Sequence, residues 1–87
     1  MTFDPDYVVH PGETLKEVMR ALHLDVVALA RRTSYPDRIL RDVIRGRAPI
    51  TSGLALRLEE TFGISAAFWR KLQRNYTRRL ARLKGSA

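Results

Sequence analysis

Apolar positions recur at helical spacing from residue 10 to residue 83, and no stretch longer than four residues alternates as a strand would. His10-Pro11-Gly12-Glu13 reads as a helix start, with Pro at the first helical position and Glu placed to satisfy amides at the helix end. Leu15, Val18, Met19 and Leu22 follow at i, i+3, i+4 and i+7 and make one apolar face. Asp25 is the expected N-cap of a second, short helix running to about Arg32, with Ala28 and Leu29 inward. Thr33-Ser34-Tyr35-Pro36 breaks that helix as a four-residue turn. Pro36 then opens a third helix that reaches Arg45, with Leu40, Val43 and Ile44 inward and Gly46 as its left-handed stop.

Thr51 caps a fourth helix in which Leu54, Leu58 and Phe62 repeat every four residues. Gly63 ends it, and Ile64 supplies the hydrophobic contact that accompanies such stops. Ser65 caps the last helix, whose apolar stripe is Trp69, Leu72, Tyr76, Leu80 and Leu83. The pattern predicts an all-α five-helix bundle, with residues 10–84 as one domain. Residues 1–9 carry two Asp and a Pro without helical period and read as an N-terminal arm.

Composition narrows the class. At 87 residues and 10.0 kDa the chain holds one modest core. No apolar run approaches the roughly 18 residues of a membrane span, and the start lacks a secretory signal's apolar stretch. A soluble, cytoplasmic protein is expected. With no cysteine, disulfides and thiolate metal sites are excluded.

Charge points to a partner. Sixteen Lys and Arg against nine Asp and Glu leave +7, and thirteen of the sixteen are Arg, whose planar fork of donors matches phosphates and guanine edges. Arg31, Arg32, Arg38, Arg41, Arg45 and Arg47 crowd residues 31–47, opposed only by Asp37 and Asp42. There the second and third helices form two short helices joined by a tight turn, the helix-turn-helix geometry. Taking out the inward positions leaves Asp37, Arg38, Arg41, Asp42 and Arg45 on the outer face of the third helix, as entry into a major groove requires. A second basic run, Arg70, Lys71, Arg74, Arg78, Arg79, Arg82 and Lys84, includes no acid. It reads as a phosphate-tracking surface, a dock for an acidic partner or a solvated face; the solvated face is the simplest, because the apolar stripe already explains the helix.

Catalytic readings find little support. His10 and His23 lack metal-ligand spacing and are better placed as helix-end residues. Glu59 and Glu60 are adjacent, so on a helix they point about 100° apart. There is no glycine-rich phosphate loop and no nucleophile elbow. No catalytic residue, metal or cofactor is assigned.

The blocks HPGE at 10–13, LARR at 29–32, GRAPIT at 46–51, ALRL at 55–58, then FGIS, FW and LQRNY, resemble the HigA-type antitoxins of the Xre/Cro-like helix-turn-helix superfamily over about residues 8–80. The resemblance implies a homodimer that binds double-stranded DNA at a palindromic operator, represses its own operon and neutralises a RelE-like, messenger-RNA-cleaving toxin. It places Asp37, Arg38, Ile39, Arg41 and Asp42 at base-reading positions, and Arg32, Arg45 and Arg47 at phosphate contacts. Trp69, Leu72, Tyr76 and Leu80 are the expected dimer interface. A basic toxin would match the acidic arm at Asp4 and Asp6, or Glu13 and Glu17 on the first helix.

The chain departs from the family at three places. Asp25-Val26-Val27 stands where the second helix usually opens with Ser or Thr and a phosphate-gripping Gln. Ser34 replaces the usual turn Gly, and Ile39 replaces a polar residue, though it can still touch a thymine methyl. The alternatives are a toxin-inhibiting module that binds DNA without sequence preference, and a stand-alone regulator.

Overall fold

The computed structural model describes residues 9–85, so all of the expected arm except Val9 lies outside the described residues. Five helices follow one another: α1 (Pro11–Ala21), α2 (Val26–Thr33), α3 (Asp37–Ile44), α4 (Ser52–Phe62) and α5 (Ala66–Gly85). α3 packs on α1 and α2, α4 on α2 and α5, and α5 also meets α1. Each helix contributes to one core: Leu15 and Met19, Leu29, Leu40 and Val43, Leu54, Ala55 and Leu58, Ala66 and Trp69, with Ile50 from the loop before α4. None of the described helices is long and apolar enough to cross a membrane.

The helix starts are set by the chain's own polar groups. Asp25 accepts from the Ala28 amide at 2.8 Å, Thr51 from Leu54 at 3.2 Å and Ser65 from Phe68 at 3.1 Å. Glu59 adds a second cap to α5, its carboxylate accepting from the Ala66 amide at 2.7 Å, while Glu60 pairs with Arg57 at 3.6 Å. The adjacent glutamates therefore have separate structural partners.

The stops hold a surprise. α1, α2 and α3 each end in a left-handed residue: His23 (φ 55), Ser34 (φ 54) and Gly46 (φ 75). After each of them the next amide bonds back five residues, Leu24 to Met19, Tyr35 to Ala30 and Arg47 to Asp42. Only Gly46 adopts this conformation without strain against a Cβ. Ser34 thus takes the backbone shape of the glycine it replaces.

Two boundaries differ from the sequence reading. The turn between α2 and α3 has three residues rather than four, because Thr33 stays helical: it is buried and its hydroxyl donates to the Leu29 carbonyl at 2.8 Å. Pro36 is the N-cap of α3 and not part of its first turn, its ψ of 132° being extended. Leu22 leaves the expected apolar face and stands 47% exposed, since α1 has ended and the left-handed His23 swings the chain away.

His10 ties three elements together. Its Nδ1 accepts from the Gly12 amide at 2.9 Å, its ring meets Tyr76 edge-on with centroids 4.8 Å apart, and it bonds the Ala48 backbone. Burial lowers its pKa below the ordinary 6.5, outweighing the Ala48 carbonyl and Glu13, which both favour the cation. A lowered folded pKa means that the cap contributes fully above 6.5, where His10 is neutral folded or unfolded. Below that the unfolded chain takes up the proton first, and stability falls until the folded pKa is passed. Melting temperature should therefore drop on acidification from pH 7 to about 5.5, and His10→Asn, a cap that does not titrate, should flatten the drop. Equal slopes for the two proteins would remove His10 as the cause.

Candidate nucleic-acid interface

The helix-turn-helix unit is α2, the turn at residues 34–36 and α3. Leu40 and Val43 are fully buried and Ile44 half-buried, which pins α3 by one side. The rotation that buries them leaves Asp37, Arg38, Ile39 and Arg41 exposed, with Asp42 half-buried. Arg38, in the first turn, has no hydrogen bond or ion pair among the described residues, so its fork of donors is available. Arg41 reaches back to Asp37, Nη2 to Oδ2 3.5 Å, with both side chains about half exposed. A solvated pair at this spacing contributes roughly 0.3–0.5 kcal/mol, so a ligand displaces it at little cost.

Arg45 is the C-cap of α3, and Arg47 follows Gly46; both are exposed. The bonds from Gly46 to the Val43 carbonyl (3.0 Å) and from Arg47 to the Asp42 carbonyl (2.8 Å) turn the chain sharply there. Arg32 is exposed but not brought beside them: its carbonyl accepts from Thr61 at 3.4 Å, about 15 Å along α4 from Thr51.

The Asp25-Val26-Val27 departure has a structural meaning. Val26 is half-buried against the core, Val27 is 50% exposed, and the Asp25 carboxylate occupies the amide end of α2. That helix end has an anion of its own. Ile39, 41% exposed, adds an apolar spot to the face of α3.

Some residues that hold the interface in place gave no signal in the sequence. Tyr35, in the turn, approaches Thr51 with hydroxyls 3.3 Å apart, joining the turn to the start of α4. Gln73 of α5 accepts from the Ile50 amide at 2.9 Å and steadies the loop after α3. An isolated Gln on a basic helix has no periodic pattern to betray it.

The expected dimer-interface residues separate into two kinds. Trp69 is fully buried within the protomer, its indole filling the core, so it offers no surface to a second chain. Leu72 packs partly on the same core, and Tyr76 gives its ring to His10. Leu72, Tyr76 and Leu80 each keep some accessible surface. Of the acidic toxin-facing candidates, Asp4 and Asp6 lie outside the described residues, Glu13 pairs with Lys16 at 2.9 Å, and Glu17 is exposed.

No family model and no curated protein matches the sequence. Solved structures do. An addiction module antidote protein of the HigA family from Coxiella burnetii is 32% identical over 90% of this chain and 86% of its own, with a TM-score of 0.84. The chain belongs to the HigA family of antitoxins. Two further HigA-like structures carry nucleic acid. The Pseudomonas aeruginosa antitoxin HigA with the higBA promoter is 31% identical over 92% of this chain and 88% of its own, TM-score 0.88. The Pseudomonas aeruginosa protein PA4674 in complex with its operator DNA is 30% identical over 92% of this chain and 89% of its own, again with a TM-score of 0.88.

Proposed function

We propose that this HigA-family chain is a DNA-binding antitoxin: as a homodimer in the cytoplasm it binds a palindromic operator, represses its own operon and neutralises a RelE-like toxin. The observation that carries the DNA reading is Arg38, exposed and unpartnered among the described residues, in the first turn of a helix pinned from behind by Leu40 and Val43. There a guanidinium can bond guanine O6 and N7 together. Asp37, Ile39, Arg41 and Asp42 share the reading of bases, and Arg32, Arg45 and Arg47 hold phosphates. The HigA-like structures with promoter and operator DNA support this assignment. A single α3 covers too few base pairs to be selective, and two related by a dyad double the site; Leu72, Tyr76 and Leu80 on α5 offer that contact.

Binding to the segment upstream of the chain's own coding sequence, against a scrambled duplex and across a salt series, tests the reading. Arg38→Ala should cost about 1–3 kcal/mol on the specific duplex and relax preference at one position per half-site. Arg47→Ala should weaken both duplexes alike and flatten the salt slope by about one. The titration should saturate at two chains per duplex. If Arg38→Ala weakens both duplexes equally, α3 is not reading bases, and a toxin-inhibiting module with indifferent DNA binding is the better account. The toxin should be encoded beside this chain and co-purify with it; flanking genes that supply no such partner leave a stand-alone regulator.

A further inference from the structure

The charge of this protein is unevenly placed. α5 carries seven of the sixteen cations and none of the nine acids, so the remaining nine cations are matched one for one and the whole +7 resides on α5. Helix-turn-helix geometry does not account for this, because α5 lies outside that unit.

Part of that charge lines a cleft. Arg70, Arg74 and Arg78 stand one turn apart on a single face of α5, opposite Thr51 and Ser52 at the start of α4, around an open cavity of about 670 Å³. All three arginines are exposed, no acid lines the cleft, and none of the three has a partner among the described residues. Like charges at i, i+4 destabilise a helix, so a row of them costs the fold unless an anion answers it. Across the cleft, the first intrahelical bond of α4 is from Ala55 to the Thr51 carbonyl, so the amides of Ser52 and Gly53 point out of the helix end. That end is capped by a neutral hydroxyl, whereas α2 is capped by a carboxylate.

The cleft is continuous with the reading face. Thr51, which lines it, also touches Tyr35 of the turn, and Gln73 within it holds the loop that follows α3. From Arg70 to Arg78 the helix rises about 12 Å, the rise of three to four phosphates along one strand at about 3.4 Å each.

We infer that the α4–α5 cleft is a phosphate-binding site for the DNA backbone flanking the segment read by α3, with Arg70, Arg74 and Arg78 as its ligands. This rests on the DNA-binding reading above. The site is indifferent to sequence. It supplies the electrostatic part of affinity, while α3 supplies the preference.

The test is the salt dependence of binding to the upstream segment and to the scrambled duplex, with Arg70→Gln, Arg74→Gln and Arg78→Gln singly and combined. Each phosphate that is no longer neutralised should flatten the slope of log K against log salt by about 0.9, so the triple variant should drop by roughly two to three units on both duplexes. The ratio between duplexes, the melting temperature and the sedimentation coefficient of the free protein should stay as in the unaltered chain. Should the triple variant fail to fold, Arg74→Gln alone, at an exposed position, carries the same reading. An unchanged slope overturns the proposal, as does a weakened variant that has merely changed its oligomeric state, which would make the cleft a protein–protein contact. Failure of the DNA reading looks different: the unaltered protein would show no preference between the duplexes, whatever the cleft variants do.

Discussion

Trp69→Ala should lower stability by about 3–5 kcal/mol, the range for deleting a buried aromatic. The indole is fully buried where α5 meets the rest of the core, and Phe68 stacks edge-on against it with centroids 5.6 Å apart. For a chain of 87 residues, total stability is on the order of 4–13 kcal/mol, so the variant should be largely unfolded near body temperature. Trp69 Nε1 is buried and has no hydrogen-bond partner among the described residues. Trp69→Phe deletes that donor together with part of the ring, and the two effects oppose one another. It should cost less than half as much as Trp69→Ala. Denaturation monitored at several protein concentrations decides between core and interface: a core role gives the same loss at every concentration. A loss that vanishes at low concentration would return Trp69 to the dimer interface.

Gly12→Ala should destabilise by about 3 kcal/mol or slightly less, reversing the sign that helix propensity alone would give. In an unobstructed helix the change would gain close to 1 kcal/mol. Here a Cβ would collide with the Val43 carbonyl oxygen and lie 3.0 Å from its carbon, and both obstacles are backbone. Val43 belongs to the last turn of α3, and its carbonyl also accepts the Gly46 amide that ends the helix. The amide end of α1 therefore rests on the carbonyl end of α3, dipoles aligned head to tail. Relieving the collision must push α3 away from α1, so specific DNA binding should weaken along with thermal stability. A variant with a raised melting temperature would show that the two backbones do not approach so closely.

Most of the secondary structure was legible because its causes are local. Asp25, Thr51 and Ser65 cap the helices they were expected to cap, since each needs only an amide three residues on. Gly46 and Gly63 are left-handed as expected, and Leu40 with Val43 faces the core. Misplacements arose where a local rule met a nonlocal decision. Thr33 looked like part of a turn, yet its buried hydroxyl bonds the Leu29 carbonyl and keeps it helical.

Among the candidate interface residues, sequence pattern alone put Arg38 and Arg41 on the outer face of α3, because a period of 3.6 decides which side chains share a face. Family membership was likewise readable from the order and spacing of short blocks. What a stripe packs against is not a periodic property. Trp69, Leu72, Tyr76 and Leu80 share a stripe, but tertiary packing sends the first wholly into the core and couples the third to His10. The solvated-face reading of α5 likewise could not see Thr51 and Ser52 across from its arginines, some twenty residues away in the chain. Gly12 is the plainest case: its need for a bare Cα comes from Val43, thirty-one residues on, and only the packing of α1 against α3 brings the two together. Helices, caps and charges were set by neighbours in the sequence; the clamp on α3 and the cleft at α4 and α5 were set by neighbours in space.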